Sequence, residues 1–119
     1  MVSMALPSPL PEALVDLISQ RFRVLSEPTR IKLLDSLREG PAMVAELQES
    51  TGASQQNVSK HLGLLLEAGM VRRAKAGTRA YYSIADDSLF DLCEQVCGSL
   101  RRQVAQIDAL LQLEGEPAR

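Results

Sequence analysis

Between Val44 and Ala68, two short stretches of helical periodicity are divided by Thr51-Gly52-Ala53. Three small residues leave room only for a tight turn, so the two helices must sit close together as a helix-turn-helix unit. The first stretch, about Val44 to Ser50, carries Val44, Ala45 and Leu47 as its apolar side. Ser54 is placed as an N-cap for the second, its hydroxyl oxygen free to accept from a first-turn N–H. That second helix is expected from about Gln55 to Ala68, with Gly69 as a left-handed C-cap. Its spacing puts Val58, Leu62 and Leu65 on one side, toward a core, and Gln55, Gln56, Ser59, Lys60 and Gly63 on the other.

The flanking sequence fits the same plan. Leu14, Leu17, Ile18, Phe22 and Leu25 recur at helical spacing from Pro11 to about Arg23. Glu27-Pro28 breaks that helix and opens the next, because the residue before proline is pushed out of the helical region and Pro28 suits a first turn. Ile31, Leu33, Leu34 and Leu37 are its expected buried side, and Gly40-Pro41 stops it. After Gly69, segments 70–74 and 78–84 read as two strands joined by Lys75-Ala76-Gly77. A last amphipathic helix, from about Asp87 to Leu113, carries Leu89, Leu92, Cys93, Val96, Leu100, Val104, Ile107, Leu110 and Leu111. The expected fold is mainly α: five helices with a two-stranded hairpin wing between the fourth and fifth. Residues 1–10, with Pro7 and Pro9, are expected as an arm, 11–113 as the domain and 114–119 as a tail.

The outward row of the second helix of the pair carries amide, hydroxyl and ammonium groups, the types that read base edges and phosphates. A merely solvated helix face usually carries Glu, yet no acid occurs from Ser54 to Leu66. Charge is unevenly placed along the chain despite a formal net charge of −2. Residues 53–82 hold Lys60, Arg72, Arg73, Lys75 and Arg79 against the single acid Glu67. Residues 83–119 hold seven acids against Arg101, Arg102 and Arg119. A basic face beside an acidic remainder suits phosphate contact on one side only. Lys75 and Arg79 are the expected wing contacts, with Arg72 and Arg73 at its base. An enzyme reading lacks a glycine-rich phosphate loop, a nucleophile elbow and more than one histidine. A protein-interaction module of the same fold would need an acidic or apolar face on that helix.

Three motifs, in order and at matching spacing over residues 22–84, resemble the ArsR/SmtB family of bacterial winged helix-turn-helix repressors. Leu25-Ser26-Glu27-Pro28-Thr29-Arg30-Ile31 is similar to its "L-[AS]-x-P-x-R-[LI]" element. The run from Ser54 through Asn57 and His61 to Leu62 resembles its "SQxxVSxHL" reading helix. Glu67-Ala68-Gly69-Met70-Val71 and Gly77-Thr78-Arg79-Ala80-Tyr81-Tyr82 resemble its turn and wing. The resemblance implies a homodimer built on the first and last helices, repression by occupancy of double-stranded operator DNA, and release by an inducer. The DNA-binding set is then Ser54, Gln55, Gln56, Asn57, Ser59, Lys60 and His61, with Lys75 and Arg79 from the wing. His61, the sole histidine, makes a poor metal site alone and matches the family's histidine as a core-edge or phosphate-contacting residue.

Cys93 and Cys97 lie four apart on the last helix and so share a face. Their thiolates could hold a soft metal or metalloid ion, with Asp91 and Glu94 as nearby oxygen ligands, or respond to oxidation. Equally, they could be packing residues in a constitutive or protein-regulated DNA binder. The family's known sensor patterns do not transfer. No thiols stand at 45–49 where arsenic repressors carry "ELCVC", and Val104 and Ile107 replace the second half of the zinc sensors' "DxHx10HxxE". The second helix has no cysteine of the kind persulfide-sensing relatives carry. The longest apolar runs, such as Leu64-Leu65-Leu66, are too short to span a bilayer, and residues 1–14 lack a signal-peptide pattern. The expected location is cytoplasmic, where the cysteines are thiols.

Overall fold

The computed structural model describes residues 6–115, so residues 1–5 of the expected arm and 116–119 of the expected tail lie outside it. Seven elements follow in the order α1 (Glu12–Leu25), α2 (Pro28–Leu37), α3 (Val44–Thr51), α4 (Gln55–Glu67), β1 (Val71–Ala76), β2 (Arg79–Ile84) and α5 (Ser88–Gly115). This is the winged helix-turn-helix fold. The chain forms two compact units, one ending at Ala85 and the other beginning at Asp86.

In the first unit α2 is the central element, packed against α1, α3, α4 and β2. Its start is fixed locally. Pro28 occupies the first turn, and the Glu27 carboxylate accepts from the Thr29 N–H at 3.1 Å. The core collects Leu33, Leu34 and Leu37 of α2, Leu47 of α3, Val58, Leu62 and Leu65 of α4, then Met70 and Val71. Side chains of this size contribute roughly 1.5–3 kcal/mol each on full burial. Ile31 departs from expectation: it lies on the exposed side of α2, because the core stripe runs through 33, 34 and 37 and turns 31 outward.

The helix α4 closes with a Schellman arrangement. Met70 N–H donates to Leu65 C=O at 2.9 Å and Gly69 N–H to Leu66 C=O at 3.1 Å, with Gly69 at φ 77°. Leu65 and Met70, which bracket that turn, are both fully buried, so the chain leaves α4 in a fixed direction and enters the wing. At the tip the first strand runs two residues further than the sequence suggested, and the second begins one residue later. Lys75 and Ala76 belong to β1, and the turn is only Gly77-Thr78. Gly77 has φ 67° and Thr78 does not have positive φ, the type II′ pattern whose twist matches paired strands. Ala42 adds a one-residue bridge to β2, exchanging two hydrogen bonds of 2.9 and 2.8 Å with Tyr82.

The second unit is α5, 28 residues long. Val96, Leu100, Val104, Ile107 and Leu111 recur along one stripe of it and are each half exposed or more. The helix α1 likewise has no buried residue, with Leu17 and Phe22 more than half exposed. Among the described residues no helix is long and apolar enough to cross a membrane.

Candidate nucleic-acid interface

The turn between α3 and α4 is braced by its own residues. Gly52 takes φ 76°, which a Cβ disfavours, and its N–H donates to Gln48 C=O at 2.8 Å. The Thr51 hydroxyl donates to Leu47 C=O at 2.6 Å and accepts from Ala53 N–H at 3.3 Å. Ser54 then has the extended backbone of an N-cap, and its Oγ accepts from Asn57 N–H at 3.1 Å. At the other end of α3, Glu46 reaches back to accept from Met43 N–H at 2.8 Å. Both helices of the pair therefore start and stop at bonded positions.

That frame sets the rotation of α4. Val58, Leu62 and Leu65 are at 0% exposure, which turns Gln55, Gln56, Asn57, Ser59, Lys60 and Gly63 to the outside. The first turn of α4 carries no acid. His61 does not join this row. It is only 7% exposed, with Nδ1 3.0 Å from Arg30 Nη1 and Nε2 3.3 Å from Glu27 Oε2. Both ring nitrogens face partners inside the fold, which is the core-edge position of the two that the sequence allowed.

The wing separates its cations between two faces. Directly opposed residues of an antiparallel ladder share a face, so Arg73 and Lys75 lie with Tyr82 and Ala80, while Arg72 and Arg79 lie with Ser83 and Ala76. Tyr81, opposite Ala74, joins the second group. Lys75 and Arg79 thus project to opposite sides of the ribbon, which the count of basic residues in the sequence could not reveal. Arg72 reaches Ala85 C=O at 3.5 Å at the base of the wing. Lys60, Lys75 and Arg79 are exposed and have no side-chain partner among the described residues.

On α5, Cys93 and Cys97 are free and exposed, one turn apart. Asp91 and Glu94 do not complete a cation site with them. Among the described residues no group of three or more His, Cys, Asp or Glu side chains is arranged to hold a metal ion.

A Helix-turn-helix domain family matches residues 25–74, the stretch from the end of α1 to the middle of the wing. A protein of Streptomyces lividans named "Probable mercury resistance operon repressor" is 34% identical over 101 residues, covering 85% of this chain and 81% of that one. The chain belongs to the ArsR/SmtB family. As a member of that family of winged helix-turn-helix transcriptional repressors, it is a DNA-binding transcriptional regulator. Among solved structures, Rv0081 of Mycobacterium tuberculosis is 32% identical with a TM-score of 0.72, covering 81% of this chain and 97% of that one. A homodimeric winged helix-turn-helix DNA-binding domain from Mycobacterium bovis is 27% identical with a TM-score of 0.68, covering 82% of this chain and 95% of that one. Family membership did not expose the contacts of Glu27 and Arg30 with His61. Their motifs lie about thirty residues apart, and only the fold brings them together.

Proposed function

We propose that this ArsR/SmtB-family regulator is a homodimeric repressor that binds double-stranded operator DNA through α4 and the wing, and that a signal at α5 releases it. One observation carries the DNA reading: an acid-free row of amide, hydroxyl and ammonium side chains is turned outward on α4 by a fully buried opposite face. Gln55, Gln56, Asn57 and Ser59 face the base edges, and Lys60 a phosphate. Ser54 holds the first turn in shape, while Lys75 and Arg79 take the backbone on either side of the wing. A side-chain amide can pair with adenine through two hydrogen bonds, which makes Gln56 a candidate for direct readout.

The dimer reading rests on exposed apolar side chains. Leu17 and Phe22 of α1, and the stripe from Val96 to Leu111 on α5, would be an unusual cost in water if left uncovered. A second copy covers them, as the homodimeric state of the M. bovis neighbour supports. The inducer reading rests on the exposed thiols of Cys93 and Cys97. Among the described residues no third ligand joins the two thiolates, so a soft metal or metalloid ion would take one from the partner chain. Thiol oxidation needs none. The relation to a protein named for a mercury resistance operon favours the soft ion.

The test is binding of the full chain to its own upstream DNA, compared with random duplex, alongside light scattering. The expected result is a particle of about twice the 13.0 kDa chain mass that prefers the specific DNA. Gln56→Ala should lose roughly 1–3 kcal/mol on that DNA and much less on random duplex. Equal losses on both would remove Gln56 from base readout, and a folded monomer would end the dimer reading.

A further inference from the structure

Three elements meet at one buried imidazole. Arg30, in the first turn of α2, donates from Nε to the Val24 carbonyl and from Nη2 to the Arg23 carbonyl at 3.4 Å, both in the last turn of α1. Its remaining Nη1 lies 3.0 Å from His61 Nδ1 on α4. On the other side of the ring, Nε2 is 3.3 Å from Glu27 Oε2, the same oxygen that caps α2 by accepting from Thr29 N–H. A guanidinium has donors and no acceptor, so the nitrogen it faces must offer a lone pair. Nδ1 is therefore the acceptor and Nε2 carries the proton, on the side of the ring that faces the Glu27 carboxylate 3.3 Å away.

We propose that Arg30 and His61 are positioning residues, a latch that fixes α4 to the end of α1 by holding His61 in the Nε2–H tautomer. The inference rests on the reading of α4 as the DNA-reading helix and extends it. Arg30 ties α1, the helix proposed to dimerise, to α4, the helix proposed to read bases. The ring occupies the position just past Ser59 and Lys60, so its hydrogen bond to Arg30 and its contact with the Glu27 carboxylate limit rotation of the outward row. An apolar core would hold α4 in place with less resistance to twist, because dispersion contacts have little directional preference while hydrogen bonds weaken steeply off axis. The latch also gives a change at α1 a direct polar route to α4 through a single side chain.

His61 is the sole histidine, so a long-range proton–nitrogen correlation spectrum of the 15N-histidine-labelled full chain reports on it alone. At mildly alkaline pH, above the ordinary histidine range, the expected pattern is two nitrogens at limiting shifts, the protonated one coupled to both ring protons. Arg30→Met should shift them toward tautomer-averaged values. Averaged shifts, or a protonated Nδ1, in the wild-type chain would overturn the latch. This measurement does not depend on any variant folding.

The second arm is affinity for the upstream DNA. His61→Leu should weaken binding about tenfold, the scale of one lost charge-assisted hydrogen bond. His61→Gln, which offers a carbonyl acceptor and an amide donor in one plane, should restore it to within about threefold of wild type. Equal affinity of the Leu and Gln variants, both folded by circular dichroism, would also overturn the latch. Limiting tautomer shifts in a wild-type chain that does not bind DNA would instead overturn the DNA reading and leave the latch supported.

Discussion

Removing two exposed cations near the tip of the wing tests the DNA interface through its dependence on salt. Lys75 and Arg79 are exposed, lie on opposite faces of the β1–β2 ribbon and share no partner. A ribbon with a cation on each face is suited to a groove, where the two walls are phosphate backbones. Each phosphate neutralised by a protein cation releases condensed counterions and contributes about −0.9 to the slope of log Kobs against log salt. Lys75→Ala and Arg79→Ala should therefore each reduce the steepness of the slope by about 0.9, and the double variant by about 1.8. Between 50 and 200 mM salt, one lost contact corresponds to about a 3–4-fold smaller fall in affinity. The two effects should add, because sites on opposite faces with no common partner are independent. Both side chains are exposed near the tip of the hairpin, so thermal stability should change by no more than about 0.5 kcal/mol. Fluorescence anisotropy with labelled duplex over a salt series measures the slopes directly, on specific and random DNA alike. An unchanged slope in either single variant, with the fold intact, would refute the assignment of that residue. A double-variant effect no larger than a single one would refute the two-walled geometry.

Two further outcomes follow from the packing and the thiols. Leu62→Ala removes a side chain at 0% exposure on the inner face of α4 and should cost about 2–5 kcal/mol, read as a lower denaturant midpoint at unchanged m-value. Replacing Cys93 and Cys97 together by Ser should leave DNA affinity within about twofold of wild type, since neither lies on α4 or the wing, while abolishing release by a soft metal ion or oxidant. Normal release by the double variant would place the sensor elsewhere in the protein.

Local signals in the sequence were enough for the elements and for the direction of α4. Glu27-Pro28, Ser54 and Gly69 act through their own backbone neighbours: a proline restricts the residue before it, a hydroxyl caps three residues ahead, and a glycine takes positive φ. The inward set Val58, Leu62 and Leu65 was legible because helical periodicity fixes which residues share a face. Where the sequence misled, the deciding partner was distant or the choice was between two neighbouring positions. Ile31 fits an apolar helical pattern as well as Leu33 does, and only the arrangement of α1, α3 and α4 around α2 decides which is covered. Lys75 and Arg79 look like one basic tip when counted along the chain. Pairing with Ala80 and Ala76 puts them on opposite faces, because a two-residue turn sets a register in which one position's shift reverses a side chain. The role of His61 was least accessible. Helical spacing places it with Val58, Leu62 and Leu65 on the inward side of α4, but the partners it meets there are not among its sequence neighbours. Packing α4 across the α1–α2 junction brings its ring between Arg30, which bonds Nδ1, and the Glu27 carboxylate, which faces Nε2. Periodicity and capping are properties of a few adjacent residues and so belong to the sequence alone; the pairing of groups thirty residues apart exists only once the helices have packed.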